Sequence, residues 1–260
     1  GRARSLSMGA LAGRVAIVTG GGQGVGRGIA LALARRGAAV AITGRTEATL
    51  AGTAKEIEAL GVPASAHVCD GNDGAAIAAT VEAAAERHGR IDILVNNAQQ
   101  VPLGRLLEVS DEDFLAGFTS GPLAAFRFMR AAYPYLKRGG DGVIFNLATS
   151  AAVRWDMAGY GAYAAVKQAM RSLTRAAAAE WGPDGIRVLS IAPHADSPAL
   201  KQWAEARPEE AEAFRQTIPL RRIGACEEDI GAAVAALAGR DFAYLSGATI
   251  PLDGGQANFD

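Results

Sequence analysis

The stretch RVAIVTGGGQGVGRGIALALARRG, residues 14–37, changes its period in the middle. RVAIVT at 14–19 is a short, continuously apolar run and reads as a buried strand. GVGRGIALALARRG at 24–37 is rich in Ala and Leu and reads as a helix ending at Gly37. Between them lies TGGGQGVG, residues 19–26. Gly20, Gly24 and Gly26 fall where a turn must approach a phosphate and then start a helix, whose bare amides and positive end favour an anion. AAVAIT at 38–43 follows as the next strand, completing a strand–helix–strand unit.

The same alternation continues to the end of the chain. Further strands are expected at 64–68, 91–96, 142–148, 186–192 and 248–255. Helices are expected at 46–60, 73–88, 111–138, 158–182 and, with interruptions, 198–240, and the helix at 111–138 should break near Gly121-Pro122. The strands are continuously apolar instead of alternating, so both faces should be covered. This pattern predicts an α/β fold: a single-domain, Rossmann-type, doubly wound parallel seven-stranded sheet with helices on both faces. Residues 1–12 read as an N-terminal tail and 13–260 as one dinucleotide-binding domain, in which the segment around 195–217 reads as a substrate lid or as ordinary surface helices.

Composition narrows the function classes. The chain has 260 residues, is 50% hydrophobic and 20% charged, and carries a formal net charge of −1. That balance gives no electrostatic ground for binding nucleic acid or an anionic membrane. No apolar run is long enough to span a bilayer. Cys69 and Cys226 are too few for a disulfide framework and lack metal-ligand spacing, so a reducing, cytoplasmic setting and no metal are expected.

Cofactor choice is written at the end of the second strand. In many dinucleotide-binding folds an acidic residue there holds the ribose hydroxyls. Here AITGRT places Gly44 and Arg45 at that point. A carboxylate would repel a ribose phosphate, whereas a guanidinium can hold it. NADP(H) is therefore favoured, with NAD(H) still possible.

GYGAYAAVKQ at 159–168 holds two tyrosines and one lysine. Tyr163 and Lys167 are four apart and share a helix face, while Tyr160 and Lys167 are seven apart, about 10 Å along the axis. Only Tyr163 can be tuned directly by that ammonium. Taken alone, the spacing favours a packed helix with a half-buried tyrosine and a snorkelling lysine, because such pairs are common on helices.

An ordered set of motifs supplies more. Thr19-Gly20-x-x-x-Gly24-x-Gly26, Asn96-Asn97-Ala98, Ser150 and Tyr163-x-x-x-Lys167 together resemble the classical short-chain dehydrogenase/reductase family, and YLSGATIPLDGG at 244–255 resembles its closing strand and loop. The resemblance implies an oxidoreductase that moves hydride between a nicotinamide cofactor and a small-molecule carbonyl or alcohol. It implies Ser150, Tyr163 and Lys167 as catalytic residues, with Thr149 an adjacent candidate because the run NLATS can be registered one residue differently. It implies a cofactor site from Gly20, Gln23, Gly24, Val25, Gly26, Arg45, Asp70, Gly71, Asn97, Ala98, Tyr163, Lys167 and Pro193. It also implies a homotetramer or homodimer. The alternative is a cofactor-binding relative with little turnover, acting as a redox sensor or structural protein.

Three positions depart from the pattern. Gln99 stands where the family usually has Gly after its Asn-Asn-Ala run, and His194 follows Pro193 where the family usually has Gly. Gly121 stands where the family usually has a catalytic Asn. Because Gly121 keeps its carbonyl and Pro122 can bend the helix alone, Gly121→Asn is expected to matter little. Candidate substrate residues are Gln99, Arg154, Trp155, Tyr160, His194 and Trp203.

Overall fold

The computed structural model describes residues 9–153 and 158–257. The strands are β1 (Val15–Thr19), β2 (Ala39–Gly44), β3 (Ala64–Val68), β4 (Ile93–Asn96), β5 (Gly142–Leu147), β6 (Ile186–Pro193) and β7 (Thr249–Leu252). They form one sheet in the order β3-β2-β1-β4-β5-β6-β7, with every neighbouring pair parallel. The order reverses between β1 and β4, which opens a crevice at the carboxyl ends of those strands.

Helices cover both faces. On one side, α1 (Gly24–Arg35), α2 (Glu47–Ala59) and α9 (Ala232–Leu237) bury Ile29, Leu33, Ile57 and Val234 against Ala16 and Val18 of β1. On the other, α3 (Gly74–His88), α5 (Ala124–Gly139) and α6 (Gly161–Trp181) bury Val81, Phe128, Met129 and Ala177 against Ile17. Successive β1 residues thus enter opposite cores, and the whole strand is buried. The edge strands differ: β3 alternates between covered and open residues, and β7 is mostly half-exposed. Each has a neighbour on one side only, so the expectation of continuous burial holds for the inner strands.

The region read as one broken helix at 111–138 is α4 (Asp111–Phe118), a π-helical turn (Thr119–Leu123) and α5. Pro122 lies inside the turn, where it has no N–H to give, and Ala124 N–H reaches back to Thr119 O. The region at 198–240 begins with α7 (Pro198–Ala206) and α8 (Pro208–Gln216), each started by a proline in its first turn. Residues 226–231 are π-helical and lead into α9. β7 stops at Leu252, ahead of Gly254 and Gly255, which turn the chain at φ 66° and 89°. Among the described residues, no helix is long and apolar enough to cross a membrane.

A buried polar ladder seats α6 on the sheet. Asn96 Nδ2 donates to Asn146 Oδ1 (2.9 Å), and Asn146 Nδ2 donates to Thr174 Oγ1 (3.1 Å). Ser190 Oγ also donates to Thr174 Oγ1 (2.8 Å), which passes its own proton to Met170 O (3.0 Å). The ladder ties β4, β5 and β6 to α6 and so fixes the height of Tyr163 and Lys167 above the strand ends.

Candidate active site

The first β–α turn is built for an anion. Gln23 caps α1 with extended backbone but no side-chain hydrogen bond, and the first helical turn holds no acidic residue. Its N–H donors stay open to a ligand. Gly26 packs the helix onto the turn, since a Cβ there would collide with Gly20 O. Thr19 Oγ1 accepts from the backbone N–H of Asn97 (2.9 Å) and Ala98 (3.0 Å), and Asn97 Nδ2 donates to Gly20 O (3.3 Å). One hydroxyl therefore clamps the β4 loop against the glycine turn.

These elements surround a cavity of about 440 Å³. Gly20, Gln23, Gly24, Arg45, Asp70 and Gly71 line it, as do Asn97, Ala98 and Gln99. Its size, glycine floor and open helix end fit a dinucleotide. Asp70 Oδ1 accepts from Asn72 N–H (2.9 Å) and shapes one end. Val25, Gly26, Tyr163, Lys167 and Pro193, also expected at the cofactor, are not part of the lining. Thr49, Asn72 and Ser120 also line it and were missed in the sequence. Their only signal was proximity to the carboxyl ends of the strands.

Tyr163 and Lys167 project from the first turns of α6 toward the same loops. Lys167 is buried, and its Nζ donates to Leu147 O (2.6 Å) while lying 5.8 Å over the Tyr163 ring. Burial pulls its pKa down to about 7. Burial pushes the Tyr163 phenol up, and hydrogen bonds from Thr149 and Gln99 oppose that rise. The Tyr160 ring lies 6.4 Å from that of Tyr163 and is tilted against it.

The two adjacent hydroxyls at the end of β5 point to different partners. Thr149 holds the Tyr163 phenol down against the rise that burial causes. Ser150 Oγ donates to Asp253 Oδ2 (3.0 Å), a buried carboxylate that also accepts from Gly255 N–H and Ala257 N–H. The Ser150 hydroxyl is thus engaged by the C-terminal loop. His194 and Trp203 are not part of the first cavity's lining; His194 lines a second cavity, of about 560 Å³, with Pro219, Leu252 and Gly254. The His194 ring stands edge-on to Phe214 at 5.1 Å, and Trp203 stands edge-on to Phe214 at 6.1 Å. This aromatic chain fastens α7 and α8 to the end of β6. Arg154 and Trp155 lie outside the described residues.

Residues 20–257 match the family described as enoyl-(acyl carrier protein) reductase. A 12alpha-hydroxysteroid dehydrogenase of Clostridium sp. is 38% identical, with 96% of this chain and 98% of the relative covered. The chain belongs to the short-chain dehydrogenase/reductase family. It is an NAD(P)(H)-dependent oxidoreductase that interconverts carbonyl and alcohol groups. Two solved structures of the family superpose closely. A short-chain dehydrogenase of Burkholderia cenocepacia J2315 in complex with NADP has a TM-score of 0.87 at 33% identity, covering 95% of this chain and 99% of that one. A 7 alpha-hydroxysteroid dehydrogenase complexed with NADH and 7-oxo glycochenodeoxycholic acid has a TM-score of 0.88 at 30% identity, with 96% of each chain covered.

Proposed function

We propose that this short-chain dehydrogenase/reductase uses NADP(H) in preference to NAD(H), with Tyr163 exchanging the substrate proton. The observation that carries this reading is the Tyr163 ring one helical turn from the buried Lys167, whose Nζ lies 5.8 Å from it. When bound, the nicotinamide supplies the hydride acceptor or donor. Tyr163 Oη gives its proton to the substrate oxygen during reduction and takes it back during oxidation. Thr149 holds that oxygen by its hydroxyl. Lys167, balanced between charged and neutral forms near pH 7, stabilises the phenolate when protonated. Two hydroxysteroid dehydrogenases among the relatives make hydroxysteroids the first substrates to test. Turnover on a panel of ketones, aldehydes and alcohols separates this enzyme from a cofactor-binding protein of little activity.

Arg45 supports the cofactor preference. It is exposed, lines the cavity beside Gly44 and Thr46, and forms no ion pair among the described residues. NADPH is expected to bind about ten-fold more tightly than NADH, the scale of one charge-assisted hydrogen bond. Gly44→Asp should erode or reverse that preference. Its Cβ would lie 3.3 Å from Leu50 Cδ2, a crowding that a side-chain shift relieves. Nicotinamide fluorescence titration reads both affinities, and equal binding by the unaltered protein would remove the argument.

The two hydroxyls should also separate. Thr149→Val is expected to lower kcat about 10²-fold, as for loss of one donor at a reacting oxygen. Ser150→Ala should keep most turnover and cost about 1 kcal/mol of stability, because Asp253 loses one donor. Steady-state rates and denaturant unfolding of both variants check this.

The free cysteines, one buried and one half-buried, agree with a reducing cytoplasm. Partly exposed Leu123 and Phe126, in the π turn and α5, support assembly as a homodimer or homotetramer. Light scattering coupled to gel filtration reads that mass.

A further inference from the structure

Away from the tyrosine and lysine, one hydroxyl joins two histidines. Ser65 Oγ on β3 lies 2.8 Å from His67 Nε2 on the same strand and 2.8 Å from His88 Nε2, at the end of α3. Residues 65 and 67 share one face of the strand, and α3 closes over that face with its last residue. All three side chains are half-buried. A serine hydroxyl has one proton, so between neutral rings it donates to one Nε2 and accepts from the Nε2–H of the other. The two rings thereby hold opposite tautomers, and the bridge pins the C-terminal end of α3 to the edge strand.

The opposite ends of the same two elements reach the large cavity. β3 runs on into Cys69, Asp70 and Gly71, and Asn72 leads toward α3; all four line the cavity. Cys69 N–H donates to Gly44 O (2.8 Å), beside Arg45. Strand, turn and helix thus form one hairpin, with its tip at the cavity and its base tied by Ser65, His67 and His88. Among the described residues, the surroundings of the pair offer no carboxylate to a charged ring. Burial lowers the pKa of both rings, and Arg87 and His67 lower that of His88 further. β2 sets Ala41 and Thr43 opposite Ser65 and His67, and α2 packs on the other face with Ala64. At the tip, Asp70 and Asp73 accept from the N–H groups of Asn72, Ala75 and Ala76, and Arg127 of α5 donates to Asn72 O (3.3 Å).

We propose that Ser65, His67 and His88 form an acid-released latch on the cofactor site. The first added proton leaves the bridge whole, because it can sit on an outer Nδ1. The second lands on the accepting Nε2. The hydroxyl proton then has no acceptor, and two cations face one oxygen. The base of the hairpin parts, and the turn at 69–72 loses its support. That turn borders the Arg45 end of the cavity, so the adenosine half of the cofactor is weakened while the glycine turn is untouched.

Calorimetric titration of the whole protein with NAD+ reads the latch. NAD+ lacks the 2′-phosphate, a monoester that itself titrates at about pH 6. The affinity of the unaltered protein should fall about five-fold between about pH 7.5 and about pH 5. His67→Gln with His88→Gln puts an uncharged amide on each side of the hydroxyl and should keep the neutral affinity across that range. Ser65→Ala removes the bridge and should show the weakened affinity already at about pH 7.5. Proton NMR of the three histidine rings in the unaltered protein follows the groups themselves. His67 and His88 should titrate in two separated steps below the ordinary value of about 6.5. Two independent titrations at that value would overturn the latch, and this reading decides even where a variant fails to fold. Constant affinity in the unaltered protein, an equal fall in the doubly substituted one, or neutral affinity retained in Ser65→Ala would overturn it as well.

Discussion

Tyr163→Phe is expected to lower kcat by about 10²–10⁴-fold while leaving NADPH affinity nearly unchanged. The missing hydroxyl acts on the substrate oxygen in the transition state, and the ring that packs beside Tyr160 remains. The cavity wall is untouched, because Tyr163 does not contribute to its lining. Tyr160→Phe is expected to retain most activity. Its backbone carbonyl starts α6 by accepting from Ala164 N–H (2.7 Å), and phenylalanine keeps that carbonyl. Stopped-flow and steady-state rates on both variants decide the assignment. An inactive Tyr160→Phe beside an active Tyr163→Phe would reverse it.

Lys167→Met should abolish turnover and change stability in a pH-dependent direction. The folded pKa of Lys167 is about 7, well below the unfolded value of 10.5. Below about pH 7 both states hold the proton, so the folded protein bears the full cost of a buried charge. Between about 7 and 10.5 only the unfolded chain holds it, and stability climbs with pH. Above that window the gain is complete. Methionine carries no charge, so the variant should be more stable than the parent at pH 6 by a few kcal/mol. The advantage should fade as pH rises. At pH 10 the order should reverse by about 1 kcal/mol, since Met leaves Leu147 O without the donor that Nζ provides. Denaturant unfolding across pH 6–10 reads the crossing. A parallel displacement of the two curves would show that burial does not set this lysine's charge.

How much of this was legible in the sequence follows from what each signal depends on. Strand positions depend on local apolar runs, and all seven lie where the runs do. The bend near Gly121 depends on a proline's missing N–H and was equally local. Edge exposure of β3 and β7 depends on sheet order, which no single run contains. The hydroxyl facing Tyr163 depends on the direction of the chain after β5. Counting thirteen residues back from Tyr163 selects Ser150, and no count along the chain could show that its hydroxyl meets Asp253, 103 residues away. Gln99 and Gly121 read as two unrelated departures because twenty-two residues separate them. Only the π turn shows that they share one space. His194 and Trp203 read as pocket residues because they flank the strand ends. Their shared neighbour, Phe214, lies in a helix with no motif of its own.

The most direct test is nicotinamide absorbance during reduction of a ketone and aldehyde panel, with NADPH and the unaltered protein beside Tyr163→Phe. Carbonyl-dependent loss of NADPH absorbance is expected with the unaltered protein on at least one panel member, hydroxysteroid ketones included. Only background loss is expected with Tyr163→Phe, at matched cofactor occupancy. Equal rates for the two proteins, or saturable NADPH binding with no turnover on any carbonyl, would contradict this expectation.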